Sequence, residues 1–407
     1  MKKVLLITSG QPSLNPRLVK EADALAEKGF KVTVLYQYWN LWGTKLDEGL
    51  LKTKKWKVIR VGGDPDKEKV NYNVSRIIHK VSRIIFQKMG LKAAAIGAIA
   101  RSSYHLIKTA KKIKADIYIG HNLGALPATI FAADFHKRKC GFDAEDFHRQ
   151  ETSDEQEHPD VKLNKYLEDR FFPHLNYLTT ASPLITEQYK KLYPDLNIST
   201  ITNVFPKEDT IFNLSDEEPL KLFWFSQTVG VDRGLEDVLK AIGLLPYLAI
   251  ELHLLGSVSA KVKKELLSIA DAAHTEHYKI IFYDPIDSDR ITTFASQFHI
   301  GLATETGVPF NRDICLTNKI FTYIQAGLVV LASDTQAQKQ LLNTYPGLGA
   351  IYERGNIGEI TSLIEKYYNN RNLLNKQKFT AYQLGKDKLN WEEESKKFIG
   401  IVELQLK

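Results

Sequence analysis

Between Thr304 and Asp334 the chain reads TETGVPFNRDICLTNKIFTYIQAGLVVLASD, and Lys319 stands where an anion would be held. The apolar run Ile300–Thr304 predicts a buried strand, and a polar loop follows it. A short helix then begins near Asn318, is stopped by Gly327, and leads to a second buried strand, Val329–Ala332. Strand, polar loop and helix N-terminus together present backbone N–H groups to an anionic ligand. Lys319, one residue into the helix, adds a full positive charge where the helix dipole is already positive. Arg233, in the loop VGVDRG that opens another helix, is a second such cation, flanked by Gly230 and Gly234, which permit close backbone approach. Fixed cations and helix N-termini of this kind stabilise charge that develops on a departing diphosphate without needing a metal.

These residues are positioned by alternating strands and helices. Val4–Thr8 predicts a strand, Pro16–Lys28 a helix opened by proline and closed by Gly29, and Lys31–Tyr36 the next strand. Asp116–Gly120, Gly141–Ala144 and Tyr177–Thr180 continue as strands, with helices over Leu126–His136, Leu163–Phe172 and Pro183–Tyr193. Pro206–Pro219, proline at each end and acidic between, reads as a linker. The alternation then starts afresh: strands over Leu222–Phe225, Ile250–Leu255 and Ile280–Tyr283, and helices over Leu235–Leu244, Val262–Ala273 and Ser288–Ser296. Such alternation implies an α/β fold of two tandem, Rossmann-like, doubly wound domains with an interdomain cleft. The expected divisions are 1–205, a linker 206–219, 220–388, and 389–407 as a C-terminal helix crossing back to the first domain.

Composition narrows the classes. With 407 residues and 43% hydrophobic content the chain supports two globular cores. Two cysteines, Cys140 and Cys315, argue against a disulfide scaffold or a CxxC metal site and suit a reducing cytoplasm. The start, MKKVLLITSG, has too short an apolar run for a signal peptide. His136, His148, His158 and His174 fit no metal-ligand spacing, so no metal is expected. Charge is uneven: from Leu51 to Lys114 there are 17 Lys/Arg against three acids, a local +14 in a chain of net +7. That asymmetry points to an anionic surface or ligand.

The order of motifs resembles the GT-B glycosyltransferases, and most closely the retaining nucleotide-sugar-dependent group known as family 4. The resemblance runs nearly the whole length. SGQPSLNPRLVKEADALAEKGFKVTVL is similar to the first loop and helix of that group, ADIYIGHN and GFDAEDFH to its strand ends facing the acceptor, and TTASPLITEQY and ITNVFP to segments before the linker. FSQTVGVDRGLEDVLKAI resembles its first donor-domain loop, LTNKIFTYIQAGLVVLASD its donor-binding helix, and NWEEESKKFIGIVE its closing helix. The resemblance implies transfer of a sugar from a nucleotide-diphosphate-sugar, which is a substrate rather than a cofactor, to a glycan or lipid-linked acceptor. It also implies independence of metals and retention of configuration, in cell-surface polysaccharide or glycoconjugate synthesis.

Site residues follow from that resemblance. His121 ends a strand where the group has a histidine near the transferred sugar, and Asp143, Glu145 and Asp146 form an acidic strand-end cluster that could bind acceptor hydroxyls or act as base. Ser9 and Gly10 would approach the donor from across the cleft. Arg233, Asn318 and Lys319 would hold the diphosphate, and Asn311, Arg312 and Asp313 sugar hydroxyls or phosphate. The chain departs from the group at Thr322, which stands in FTYIQAG where a ribose-binding glutamate is usual; Ile314 replaces its partner. Losing such a bond costs about 1–3 kcal/mol: either Glu305 or Asp313 substitutes, Glu305 being favoured directly after the strand, or the nucleotide is held differently.

Arg76–Lys114 alternates cations and aliphatic residues at spacings of three and four, predicting a basic amphipathic helix or helix pair. Two readings stay open: its cations rest on an anionic membrane surface, placing a cytoplasmic protein on the inner face of the membrane, or its apolar face packs inside the first domain. No nucleic-acid-binding motif accompanies the charge. Two other functions compete with sugar transfer: a nucleotide-sugar epimerase on the same fold, and a non-catalytic GT-B partner protein.

Overall fold

The computed structural model describes residues 1–208, 212, 214, 218–271 and 278–407, the side chains of 270 and 271 excepted. Within the expected linker 206–219, residues 209–211, 213 and 215–217 lie outside that set, as do 272 and 273 of the expected helix Val262–Ala273. The chain divides into two compact units, Met1–Ile201 with Pro309–Asn311 and Ser395–Lys407, and Thr202–Val308 with Arg312–Glu394.

The first unit holds a seven-stranded sheet: β1 (Lys3–Thr8), β2 (Lys31–Gln37), β3 (Lys57–Val61), β4 (Ile117–His121), β5 (Lys139–Ala144), β6 (Tyr177–Thr180) and β7 (Ile198–Thr200). Its order is β3-β2-β1-β4-β5-β6-β7, and neighbouring strands run parallel. Val4–Ile7, Val34–Leu35 and Ile117–Ile119 are fully buried or nearly so, which is why these strands read as unbroken apolar runs rather than alternating ones. The order reverses direction between β1 and β4. Loops leaving the carboxyl ends of strands at such a switch point form a crevice; here they are Ser9–Asn15 and the turn at Asn122.

The second unit repeats the plan with six strands: β8 (Leu220–Thr228), β9 (Ile250–Ser257), β10 (Tyr278–Tyr283), β11 (Ile300–Ala303), β12 (Val329–Ser333) and β13 (Gly349–Tyr352), ordered β10-β9-β8-β11-β12-β13 and parallel. Its switch point lies between β8 and β11, so the loops Val229–Gly234 and Thr304–Val308 leave side by side. Two backbone positions there admit glycine alone. Gly234 has φ +75°, and a Cβ would meet the Thr304 carbonyl oxygen at 2.8 Å. At Gly301 in β11, a Cβ would lie 2.1 Å from the Tyr323 ring that covers it.

Three strands, β3, β7 and β13, go beyond the sequence expectation. All three lie at sheet edges; β3 and β13 are half-exposed over most of their length, and β7 is only three residues long, so none carries a long apolar run. The helix expected over Ser288–Ser296 opens as a tight turn, Ser288–Arg290, before a short helix Ile291–Ala295.

The basic segment forms one long helix, Lys69–Met89, followed by shorter helices Ala95–Ile99 and Ser103–Ala110. The reading in which the segment's apolar face packs inside the unit holds for the two shorter helices, where Ala95, Ala98, Leu106 and Ala110 are buried, but is contradicted for most of the aliphatic face of the long one. Ser75, Ser82 and Phe86 are buried, whereas Val70, Val74, Ile77, Val81 and Ile84 are exposed, Val70 to 77% and Ile77 to 62%. Close approach explains the choice: Ser82 lies where a Cβ at Gly97 would be 2.3 Å from its hydroxyl, and His79 Nδ1 is 2.8 Å from the Gly97 carbonyl oxygen. Small and polar side chains permit that distance; the aliphatic ones do not.

Candidate functional site

In the second unit a cavity of about 400 Å³ is lined by Trp224, Asp232, Arg233, Thr304, Glu305, Thr306, Val308, Arg312 and Lys319. It sits at the switch point, and short polar contacts tie the Thr304–Val308 loop to the Val229–Gly234 loop and to the end of β12. Thr304 Oγ1 donates to the Arg233 carbonyl at 2.5 Å, and Ser333 Oγ donates to the Glu305 carbonyl at 2.7 Å. Helix Asn318–Gln325 starts here with no side chain capping its first N–H groups: Thr317, at the cap position, directs its hydroxyl to Glu305 Oε1 instead, at 3.2 Å. Helix Leu235–Gly243 likewise begins without a side-chain cap, but Glu236 and Asp237 lie in its first turn. Its pull on an anion is therefore the weaker of the two.

Glu305 is the centre of the charge pattern. Lys319 Nζ donates to it at 2.6 Å, and Arg312 Nη1 lies at 3.4 Å. Burial would raise the Glu305 carboxyl, but the Lys319 charge and hydrogen bond, with Arg312 and Thr317, outweigh it and hold it below the usual carboxylate range. Lys319 Nζ also lies 5.7 Å from the centre of the Trp224 ring, a cation–π distance. The Arg233 guanidinium has neither ion pair nor hydrogen bond among the described residues.

The remaining residues expected at the donor divide. Arg312 and Glu305 line the cavity, and Asn318 opens the helix beside it. Thr322 does not line it: after Asn318 and Lys319, every residue of that short helix through Gln325 is buried, Thr322 fully, and its hydroxyl has no hydrogen-bond partner among the described residues. Asp313 turns elsewhere, accepting from Gln336 N at 3.1 Å and Nε2 at 2.6 Å and lying 3.7 Å from Arg354. Asn311 groups with the first unit, where both ends of its amide are engaged: Nδ2 donates to Asp146 Oδ1 at 2.8 Å, and Oδ1 accepts from Phe147 N at 2.7 Å.

In the first unit, strand register brings His121 beside Asp143, and Asp143 beside Thr179. The expected acidic cluster separates accordingly. Asp143 is buried, its oxygens accepting from Arg17 Nε at 2.5 Å, Arg17 Nη2 at 2.9 Å and Thr179 Oγ1 at 2.7 Å. Burial alone would raise its carboxyl; the Arg17 charge wins and holds it low. His121, only 1% exposed, has Nε2 3.1 Å from Glu21 Oε2 and Nδ1 3.6 Å from Asp143 Oδ2. Burial raises Glu21; for His121 burial works downward but the Glu21 charge prevails and raises it. Glu21, His121 and Asp143 form the one grouping with metal-ligand spacing among the described residues, yet Arg17 already engages both Asp143 oxygens and lies 3.7 Å from Glu21, which fits a charge network better than a cation site.

Glu145 lies beyond the strand end, half-buried, its carboxyl pushed up to about 7 by burial and then by the Asp146 charge. Ser9 and Gly10 are half-buried in the loop after β1. That loop is pinned by Thr8 Oγ1, which donates to Asn122 Oδ1 at 2.6 Å and accepts from Gly10 N at 3.1 Å. Asn122 itself holds a φ of +62°, a costly value for a non-glycine residue. Sequence reasoning did not reach Arg17 and Glu21. The signal was available: both lie four apart within the same stripe as buried Leu18, Ala22 and Leu25, where uncompensated charges do not persist.

No family model and no curated protein matches the chain by sequence. Solved structures match in shape. HepE (Alr3699) from Anabaena in complex with UDP superposes with a TM-score of 0.66 at 14% identity over 99% of this chain and 100% of that one. A glycosyltransferase from Rickettsia africae gives 0.68 at 12% identity, covering 100% and 99%. A TarM variant from S. aureus, bound to Fondaparinux, alpha-GlcNAc-glycerol and UDP, gives 0.68 at 12% identity, covering 98% and 99%. Identities this low show the fold, and the fold is GT-B: two tandem Rossmann-like units, as the sequence pattern predicts.

Proposed function

We propose that the chain is a glycosyltransferase that takes a sugar from a nucleoside-diphosphate-sugar bound in the second unit. The carrying observation is that cavity's charge: Arg233, without a partner among the described residues, beside the helix of Asn318 and Lys319, whose start no side chain caps. The structural neighbours bound to UDP, and HepE bound to UDP-glucose, support the reading. In this proposal the C1–oxygen bond to the diphosphate breaks, charge collects on the leaving phosphate oxygens, and Arg233, Lys319 and the helix N–H groups stabilise it. The acceptor hydroxyl, of a glycan or lipid-linked saccharide, forms the new bond to C1 on the face the diphosphate leaves, and its proton passes to the leaving phosphate. Retention results, and no protein nucleophile is required. Glu305, the buried one of the two carboxylates that line the cavity (Asp232 is exposed), is assigned to the ribose hydroxyls in place of Thr322; Asp313, committed to Gln336 and Arg354, is not.

Calorimetry with UDP, GDP and ADP tests the site. One of them should bind, and Arg233→Ala should weaken it by roughly 10-fold or more, the loss of one charge-assisted contact of about 1.5–3 kcal/mol. No binding by a folded protein would favour the non-catalytic partner. Turnover of a nucleotide-sugar with no acceptor present, giving an isomeric donor, would favour the epimerase.

A further inference from the structure

The outward face of helix Lys69–Met89 combines two features. Val70, Val74, Ile77, Val81 and Ile84, spaced alternately by four and three, form an exposed aliphatic stripe. The same helix carries five cations and no acid, and among the described residues only Arg83 is in an ion pair, with Asp160 at 2.6 Å. At its N-terminal end the Tyr38 ring meets Tyr72 edge-on at 5.8 Å, and Arg101 Nη2 donates to the Tyr38 carbonyl at 2.9 Å. This fixes the following segment, in which Trp39 and Trp42 are 62% and 56% exposed while the other three tryptophans of the chain are buried.

We propose that this face docks on an anionic lipid surface, with the aliphatic stripe at the headgroup–acyl boundary and the cations on lipid phosphates. Charge complementarity selects the occupant. A helix with cations beside an apolar stripe suits an anionic bilayer, and indoles favour the same interface. A second copy of the chain would set five cations against five with no acid on either helix to neutralise them. The inference goes beyond the donor site and does not depend on it.

The test is sedimentation of the full chain with phosphatidylcholine vesicles, with and without phosphatidylglycerol. The chain should pellet with the anionic vesicles only, release at high salt, and show a blue shift of tryptophan emission that Trp39→Tyr/Trp42→Tyr abolishes. Arg76→Gln, Lys80→Gln and Lys88→Gln should each weaken partitioning by roughly five-fold. Ile77→Asn/Ile84→Asn, at exposed positions and with unchanged circular dichroism, should weaken it by at least about ten-fold. Equal pelleting with neutral and anionic vesicles, or by the wild type and the Ile77/Ile84 variant, overturns the proposal. So does a dimer in ultracentrifugation that this variant dissolves, with no vesicle binding.

Discussion

Thr322 places a hydroxyl in the core with no hydrogen-bond partner among the described residues, and a buried unsatisfied group of this kind costs about 1–3 kcal/mol. Replacing it by valine removes the hydroxyl at nearly the same shape. Thr322→Val should therefore raise unfolding stability in urea by about 1 kcal/mol and leave nucleotide affinity unchanged. A fall in affinity would instead put that hydroxyl on the ligand. The Arg17–Asp143 pair makes the opposite case. Both side chains are fully buried and bonded twice, so removing one partner strands the other charge. Arg17→Met should destabilise by about 3–5 kcal/mol, measured by chemical denaturation, and Arg17→Met/Asp143→Leu should recover much of that loss. If the single variant is as stable as the parent, the network is not a structural unit.

At the scale of elements, the turn His148–Gln150 is tied to helix Pro159–Phe171. Arg149 bonds Glu168 at 2.6 Å and Asp169 at 2.7 Å, and Asn164 Nδ2 donates to the His148 carbonyl at 2.7 Å. His148 also pairs with Glu151 at 2.7 Å. Burial works against its charge, but the Glu151 hydrogen bond and charge push it up to about 9. Its folded value lies above its unfolded one, so its stabilisation is complete below about pH 6.5 and is lost as pH rises through 9. Unfolding free energy should drop by about 1–3 kcal/mol across that window, and His148→Gln should flatten the slope; an identical slope in the variant refutes the linkage. Elements were legible in the sequence where burial made long apolar runs, as in β1, β4 and β12. They were not legible at β3, whose half-exposed residues KVIRV look like any mixed segment. That Arg233, Glu305 and Lys319 gather at one cavity was legible, because all three follow strand ends or open helices at the carboxyl side of one sheet. The inward turn of Asp143 was not, since its partner Arg17 is 126 residues away. Nor could spacing choose the buried face of helix Lys69–Met89, because Ser75, Ser82 and Phe86 recur at the same spacings as the aliphatic stripe; contact with Gly97 decides it.

For the whole molecule, each unit has its own parallel sheet and core, and the proposed donor contacts lie entirely within the second. A ligand that binds the folded state alone stabilises it by RT ln(1 + [L]/Kd), about 2.7 kcal/mol at a hundredfold excess over Kd, and local opening of the segments it touches is suppressed first. Amide hydrogen exchange with the saturating nucleotide should therefore slow at Thr304–Thr306, at the start of helix Asn318–Gln325 and around Arg233. These are the positions whose N–H groups and side chains surround the cavity. The Arg17, Glu21, His121 and Asp143 neighbourhood, buried and internally paired in the first unit, should exchange at its unliganded rate. Arg233→Ala at the same nucleotide concentration should remove most of the protection, since it removes the one cavity cation without a partner among the described residues. Protection centred on the first-unit network, with none at Thr304–Lys319, would mean that the nucleotide is held by the other sheet and that the charge on the second unit's cavity serves another ligand.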